Sequence, residues 1–219
     1  MATLLEPTYF VGVDLGQRRD HTALAVIESA TLIRDERDPV SFAFLEEHRL
    51  SVTALEQLPL GIPYTTIAGY IEKAVGHQSL WKNCLLAIDA TGVGQPIFDL
   101  LRNCRLPVKD LRAVIITSGE RPSRSGHTDN IPRRALLHNL HSRTIGRQYK
   151  VSGKLPHART LIRELAQLQV RLDDAGNESI APSQHSQHDD LVFATAIALW
   201  YATRSGARPT LAPKQGRLL

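Results

Sequence analysis

The chain of 219 residues is short of several things, and each shortage narrows what it can be. It has two cysteines, Cys84 and Cys104, too few for a disulfide framework and spaced like no zinc or redox motif. Both are expected as small core side chains in a reducing compartment. No stretch approaches the roughly 18 consecutive apolar residues of a membrane span. The N-terminus shows no basic segment followed by an apolar one, which argues against export. No Gly-x-x-x-x-Gly-Lys-Ser/Thr sequence occurs, so a Walker-type phosphate loop is excluded. Internal repeats and low-complexity tracts are absent too.

What is present is the composition of a soluble globular domain, 42% hydrophobic and 22% charged. The net charge of +4 and pI near 9.3 permit a polyanionic partner without demanding one. Residues Tyr9–Asp14 predict a short apolar strand ending on a carboxylate, and Thr22–Glu28 a second strand paired with it as a hairpin. Val40–Glu47 is expected as a third, more exposed strand. Ile67, Ile71 and Val75 mark one face of a helix over Thr65–Val75. Cys84–Asp89 is another apolar strand ending on a carboxylate, followed by a helix from Pro96 to Arg102. Leu111–Thr117 is a buried strand, and Ser118–Asn130 a mobile basic loop. Helices over Pro132–Arg147 and Pro156–Val170 come next, then a hairpin around Asp174–Asn177. The helix from Asp189 to Thr203 is apolar on nearly every side and must be buried. Trp81, Trp200 and Tyr201 are expected in the core.

Three acidic positions stand where a globular protein would rather have none. Asp14 and Asp89 end apolar strands, and Asp189-Asp190 open an apolar helix. Burying one unpaired carboxylate is costly, and burying several together adds repulsion that a divalent cation would relieve. Each also has a structural reading: Asp14 and Asp89 could satisfy turn amides, and an Asp at a helix start serves as a cap. Asp190 shares a face with Ala194, Ile197 and Tyr201, and Ala194 and Ala198 are small enough for close approach to a sheet. Asp190 is therefore assigned to the metal and Asp189 to the cap.

The segments Tyr9–Glu28 (YFVGVDLGQRRDHTALAVIE), Leu86–Leu101 (LAIDATGVGQPIFDLL) and His188–Leu199 (HDDLVFATAIAL) resemble, in order, the nuclease motifs of viral terminase large subunits. Asn130–Leu140 (NIPRRALLHNL) is similar to the segment leading into a helix of the same family. The resemblance implies a ribonuclease H-like α/β fold over residues 9–203, with an extension at 1–8 and a disordered tail at 204–219. Its central mixed sheet would have five or more strands, the first three antiparallel, the Asp14 and Asp89 strands adjacent, and helices on both faces. It implies two Mg²⁺ or Mn²⁺ ions held by Asp14, Asp89 and Asp190, with Asp189 as a further ligand, and cutting of double-stranded DNA. By its position beside them, His188 could be a ligand, a proton carrier or an orienter of water. Arg18, Arg19, Arg121, Arg124, Arg133 and Arg134 are the candidates for DNA contact.

Two features depart from the family pattern. Phe193 stands where many relatives carry an acid, and the packaging ATPase loop is missing. The chain is thus expected as an excised domain or stand-alone homologue, phage or prophage encoded, in the cytoplasm of a bacterial host. A separate packaging ATPase, small terminase or portal protein would be its partner, and no membrane. The rival readings are a Holliday-junction-type resolvase of the same fold, an actin-like or sugar-kinase ATPase, and a non-catalytic DNA-binding or assembly module. The ATPase class normally duplicates this core, for which the chain is too short.

Overall fold

The computed structural model describes residues 2–16, 20–92, 94–172, 178–182 and 189–204. The chain opens with β1 (Thr3–Leu4), β2 (Thr8–Asp14), β3 (Ala23–Arg37) and β4 (Phe44–Gln57). Helix α1 (Tyr64–Val75), β5 (Cys84–Asp89), α2 (Gly94–Asn103) and β6 (Asp110–Thr117) follow. Next come β7 (Ser123–Ser125), β8 (Thr128–Pro132), α3 (Arg133–Ile145), β9 (Lys150–Val151) and α4 (Ala158–Ala166). Strands β10 (Leu168–Leu172) and β11 (Glu178–Pro182) lead to α5 (Asp190–Arg204).

Among the described residues a nine-stranded mixed sheet runs in the order β7-β8-β6-β5-β2-β3-β4-β9, with β1 attached to β3. Strands β2, β3 and β4 are antiparallel neighbours, as their short connections require. Strands β2, β5, β6 and β8 run parallel, so their C-terminal ends lie along one edge. Strands β10 and β11 form a separate hairpin.

Side-chain alternation assigns each face of the sheet. Val11, Val13, Leu86 and Ile88 point into an apolar layer with Ile67, Ile71 and Val75 of α1 and Ile97, Phe98 and Leu101 of α2. Phe10, Ala25, Ile27 and Ala87 point the other way, into a layer with Leu136 and Leu140 of α3, Leu161 of α4 and most of α5. The helix α5 lies on this second face, and every residue from Asp190 to Tyr201 is buried. Gly12 makes that possible: a Cβ there would stand 2.1 Å from the Ala194 carbonyl oxygen and 2.6 Å from the Ala198 amide nitrogen. The helix backbone rests directly on β2.

Several elements differ from the sequence-based expectation. The third strand begins at Phe44, not Val40, and β3 extends to Arg37, eight residues beyond its pairing with β2 at Ser29. The two strands continue as an arm whose turn is held by Asp38, which accepts hydrogen bonds from the Val40 and Ser41 amides and the Ser41 hydroxyl. Its outer residues meet no core, so they lack the alternation that would mark them as strand. Val40, Phe42 and Phe44 are exposed at its end.

The expected mobile loop after Thr117 contains the β7–β8 hairpin. Buried Asp129 fixes it, accepting hydrogen bonds from Arg112, Arg124 and Tyr201. Helix α4 ends at Ala166, where β10 takes over. Trp200 and Tyr201 are core residues as expected, but Trp81 is 54% exposed. Cys84 is buried and Cys104 exposed. The hairpin turn at Asp174–Asn177 and residues 205–219 lie outside the described residues.

Because neither the Ala194 nor the Ala198 backbone can yield, Gly12→Ala is expected to lose about 1–3 kcal/mol of stability, the usual penalty of overpacking. Urea denaturation of the two proteins measures it; an unchanged midpoint would mean that α5 can move off β2 without penalty.

Candidate active site

The same alternation that builds the core delivers the acids. Asp14 has the parity of Phe10 and Gly12, and Asp89 that of Leu85 and Ala87, so both face the α5 side. Strands β2 and β5 are parallel, with Val13 opposite Ile88, which sets Asp14 beside Asp89 at the sheet's C-terminal edge. Helix α5 starts above them, and Asp190, in its first turn, is 4% exposed. Asp14, Asp89, Asp189 and Asp190 line one open cavity of about 410 Å³, together with Asp20, Thr91, Ser118, Arg133 and Phe193. In open α/β sheets, sites form at the C-terminal ends of the strands.

Local backbone geometry holds each acid in place. Asp89 accepts a hydrogen bond from the Thr91 amide at 2.8 Å, and the Thr91 hydroxyl in turn accepts from the Ile116 amide. Gly94 lets α2 start against this turn, since a Cβ would lie 2.1 Å from the Asp89 carbonyl oxygen. At α5, the Phe193 amide bonds the Asp189 carbonyl, so Asp189 is the N-cap residue by its backbone. The Asp189 side chain accepts a hydrogen bond from Arg133 at 3.3 Å. The Val192 amide of the same turn is bonded at 3.0 Å by Glu164, from α4.

The electrostatics are those of crowded anions. Burial, and then the charges of Asp89, Asp190, Asp189 and Asp20, push the Asp14 carboxyl well above the usual carboxylate range. Burial also raises Asp89, against the pull of the Thr91 hydrogen bonds and the Arg133 charge. Glu164 is pushed up to about 7, chiefly by burial, with the charges of Asp190 and Asp189 adding to it. A set of hard carboxylate oxygens at mutual repulsion is the donor set a divalent cation takes. The residues present fit such an ion, although among the described residues no three of them are drawn into a closed metal cluster.

Of the arginines proposed from sequence, Arg133 lines the cavity, its guanidinium 4.6 Å from the centre of the Phe193 ring. Phe193 thus carries a cation on its face. Arg134 and Arg121 are exposed outside the lining, and Arg124 is engaged with Asp129. Arg18, Arg19 and His188 lie outside the described residues. Sequence reasoning missed Asp20 and Glu164. The signal for Glu164 was an acid continuing the apolar stripe of Ala158 and Leu161; Asp20 gave none beyond its nearness to Asp14.

The mixed sheet, with three antiparallel strands followed by parallel ones and helices on both faces, is the ribonuclease H-like fold. The chain is similar to the large terminase nuclease of thermophilic phage G20c, solved with bound magnesium: 17% identity, 89% of this chain and 82% of that chain, TM-score 0.55. It is also similar to the human cytomegalovirus terminase nuclease domain, soaked with manganese, at 15% identity, 94% and 89% coverage and TM-score 0.52. The Thermus phage P74-26 large terminase nuclease domain gives 15% identity, 92% and 82% coverage and TM-score 0.51. No protein-family profile and no curated protein sequence matches the chain. Among the described residues no helix is long and apolar enough to cross a membrane.

The raised carboxyls give stability a pH dependence of known sign. Asp14 and Glu164 bind protons more tightly in the folded than in the unfolded state, so their contribution is full at low pH and lost as pH rises. For Glu164 the loss spans pH 4.5, its ordinary value, to about 7. In chelator, urea midpoints should fall across that window, and Asp14→Asn should make the protein more resistant at pH 7. A wild-type midpoint that rises from pH 4.5 to 7 would contradict the repulsion described.

Proposed function

We propose that the chain is a divalent-metal-dependent endonuclease that cuts double-stranded DNA, its nuclease domain occupying residues 9–203. The observation that carries this reading is the meeting of Asp14, Asp89 and Asp190 in one cavity, on a fold shared with terminase nucleases. Asp14, Asp89 and Asp190 would hold Mg²⁺ or Mn²⁺, with Asp189 and Asp20 at the rim as further oxygen donors. Two such ions, when bound, stabilise the attacking and leaving oxygens of a phosphodiester during in-line displacement.

The chain's own residues supply the rest. Buried Asp190 and the apolar side chains of Leu15, Ile116 and Phe193 in the cavity wall keep part of the acid cluster away from bulk water. Arg133, braced on Phe193 and tethered to Asp189, offers a guanidinium at the cavity mouth that a DNA phosphate can take over. Arg134 and Arg121, exposed nearby in sequence, and Arg18 and Arg19 would extend that contact along the backbone. His188, directly before Asp189, would hold or pass a proton. The reading includes a separate packaging ATPase, small terminase or portal protein as partner, and a bacterial cytoplasm as the place of action.

Incubation of linear, supercoiled and four-way-junction DNA with Mg²⁺, Mn²⁺ or chelator tests the reading. Metal-dependent cutting of duplex DNA is expected, and preference for the junction would favour the resolvase. Asp14→Asn, Asp89→Asn and Asp190→Asn should each lower cutting about a hundredfold or more while the protein stays folded, since each removes a ligand charge. Asp189→Asn should lower it less, because Asn keeps the N-cap geometry. Wild-type protein that cuts none of the substrates with either metal would leave a non-catalytic DNA-binding module as the better account.

Replacing Arg133 and Arg134 by Ala separates binding from chemistry. Duplex affinity should weaken alike for all sequences, and the salt dependence of log K should flatten by about one unit for each arginine that held a phosphate. Fluorescence anisotropy across a salt series reads this; an unchanged slope would assign both arginines to ordinary surface.

A further inference from the structure

We propose that Glu164 is a positioning residue for the carboxylate site: it caps α5 from outside and so lets Asp189 and Asp190 present their side chains to the cavity. The inference rests on the reading of that cavity as a metal site.

A helix that begins with Asp normally uses the Asp itself. The N-cap side chain turns back to accept a hydrogen bond from the second or third amide of the helix. With Asp189 as N-cap, those amides belong to Leu191 and Val192. Here the Val192 amide donates to Oε2 of Glu164 at 3.0 Å. A residue from another helix has taken the capping task. The Asp189 side chain instead meets Arg133 at the cavity rim, and Asp190 sits buried beside Asp14.

Capping alone does not call for Glu164, since Asp189 stands at the N-cap and an Asp there can turn back to do it. Around Glu164, Leu161 of α4 belongs to the same buried apolar cluster as Leu191 and Val192 of α5. Glu164 is 6% exposed in this setting, and its Oε1 is shielded from solvent with no hydrogen-bond partner among the described residues. A buried carboxylate oxygen without a donor is destabilising, and an apolar residue of similar size is often the more stable choice. It also adds a third anion to a helix terminus that already carries Asp189 and Asp190. What Glu164 does contribute is an acceptor for a first-turn amide that is not itself a candidate metal ligand. Groups that orient ligands in this way typically change metal affinity by about 10- to 100-fold when removed.

The test compares Glu164→Met, which keeps the volume and removes the acceptor, with Glu164→Gln, which keeps a carbonyl acceptor. Each is titrated with Mn²⁺ in a calorimeter at a temperature where it is folded, and unfolded in urea with chelator. Glu164→Met should equal or exceed wild type in urea midpoint yet bind Mn²⁺ about tenfold or more weakly. Glu164→Gln should stay within about threefold of wild type. A Met variant that binds Mn²⁺ as wild type does would overturn the proposal. So would one that loses urea midpoint and affinity together, or does not fold, because that outcome makes Glu164 a residue of fold stability. Wild-type protein that binds no Mn²⁺ would overturn the metal-site reading itself, and this proposal with it.

Discussion

The backbone contact between α5 and β2 at Gly12 is the constraint on which the rest of the molecule depends. A helix normally stands off a sheet by the thickness of two side chains. Here the carbonyl of Ala194 and the amide of Ala198 lie against a bare Cα, and the separation collapses to backbone on backbone. That approach lowers the first turn of α5 toward the strand ends. Asp190 therefore arrives beside Asp14 as a consequence of packing, with no flexible loop in between. The apolar character of α5 on every side follows from the same placement, because the helix is sandwiched between the sheet and α3 and α4.

A site built this way stores repulsion. The carboxyls of Asp14 and Asp89 are both shifted upward by burial, and each additional acid raises Asp14 further. The half-exposed Arg133 at the rim offsets only part of that charge, through Asp189 and Asp89. The fold tolerates the arrangement because β2, β5 and α5 are anchored elsewhere by large apolar layers on both faces of the sheet. Stability is generated in the layers and spent at one edge.

Much of this was legible in the sequence, and for a definable reason. Strands with two buried faces appear as unbroken apolar runs, so Cys84–Asp89 could be bounded from the sequence alone, and the carboxylate ending it stood out. The helix opened by Asp189-Asp190 was visible because it had no polar side. What escaped was whatever depends on residues distant in the chain. Glu164 meets an amide 28 positions away, and Arg133 meets an acid 56 positions away. The outer part of the β3–β4 arm escaped for the opposite reason: it touches no core, so its polar residues follow no period.

The acids also come from widely separated stretches of chain: Asp14 near one end, Asp89 in the middle and Asp190 near the other. Parallel pairing of β2 with β5 closes a long loop, and α5 can dock only once that pairing has made a surface for it. The cavity therefore exists only where stretches far apart in the chain have been brought together. A chain cut anywhere between β5 and α5 lacks both Asp190 and the helix that fills the second face of the sheet, so the cavity cannot form in it. Whatever chemistry the cavity performs is confined to chains that hold all three stretches at once.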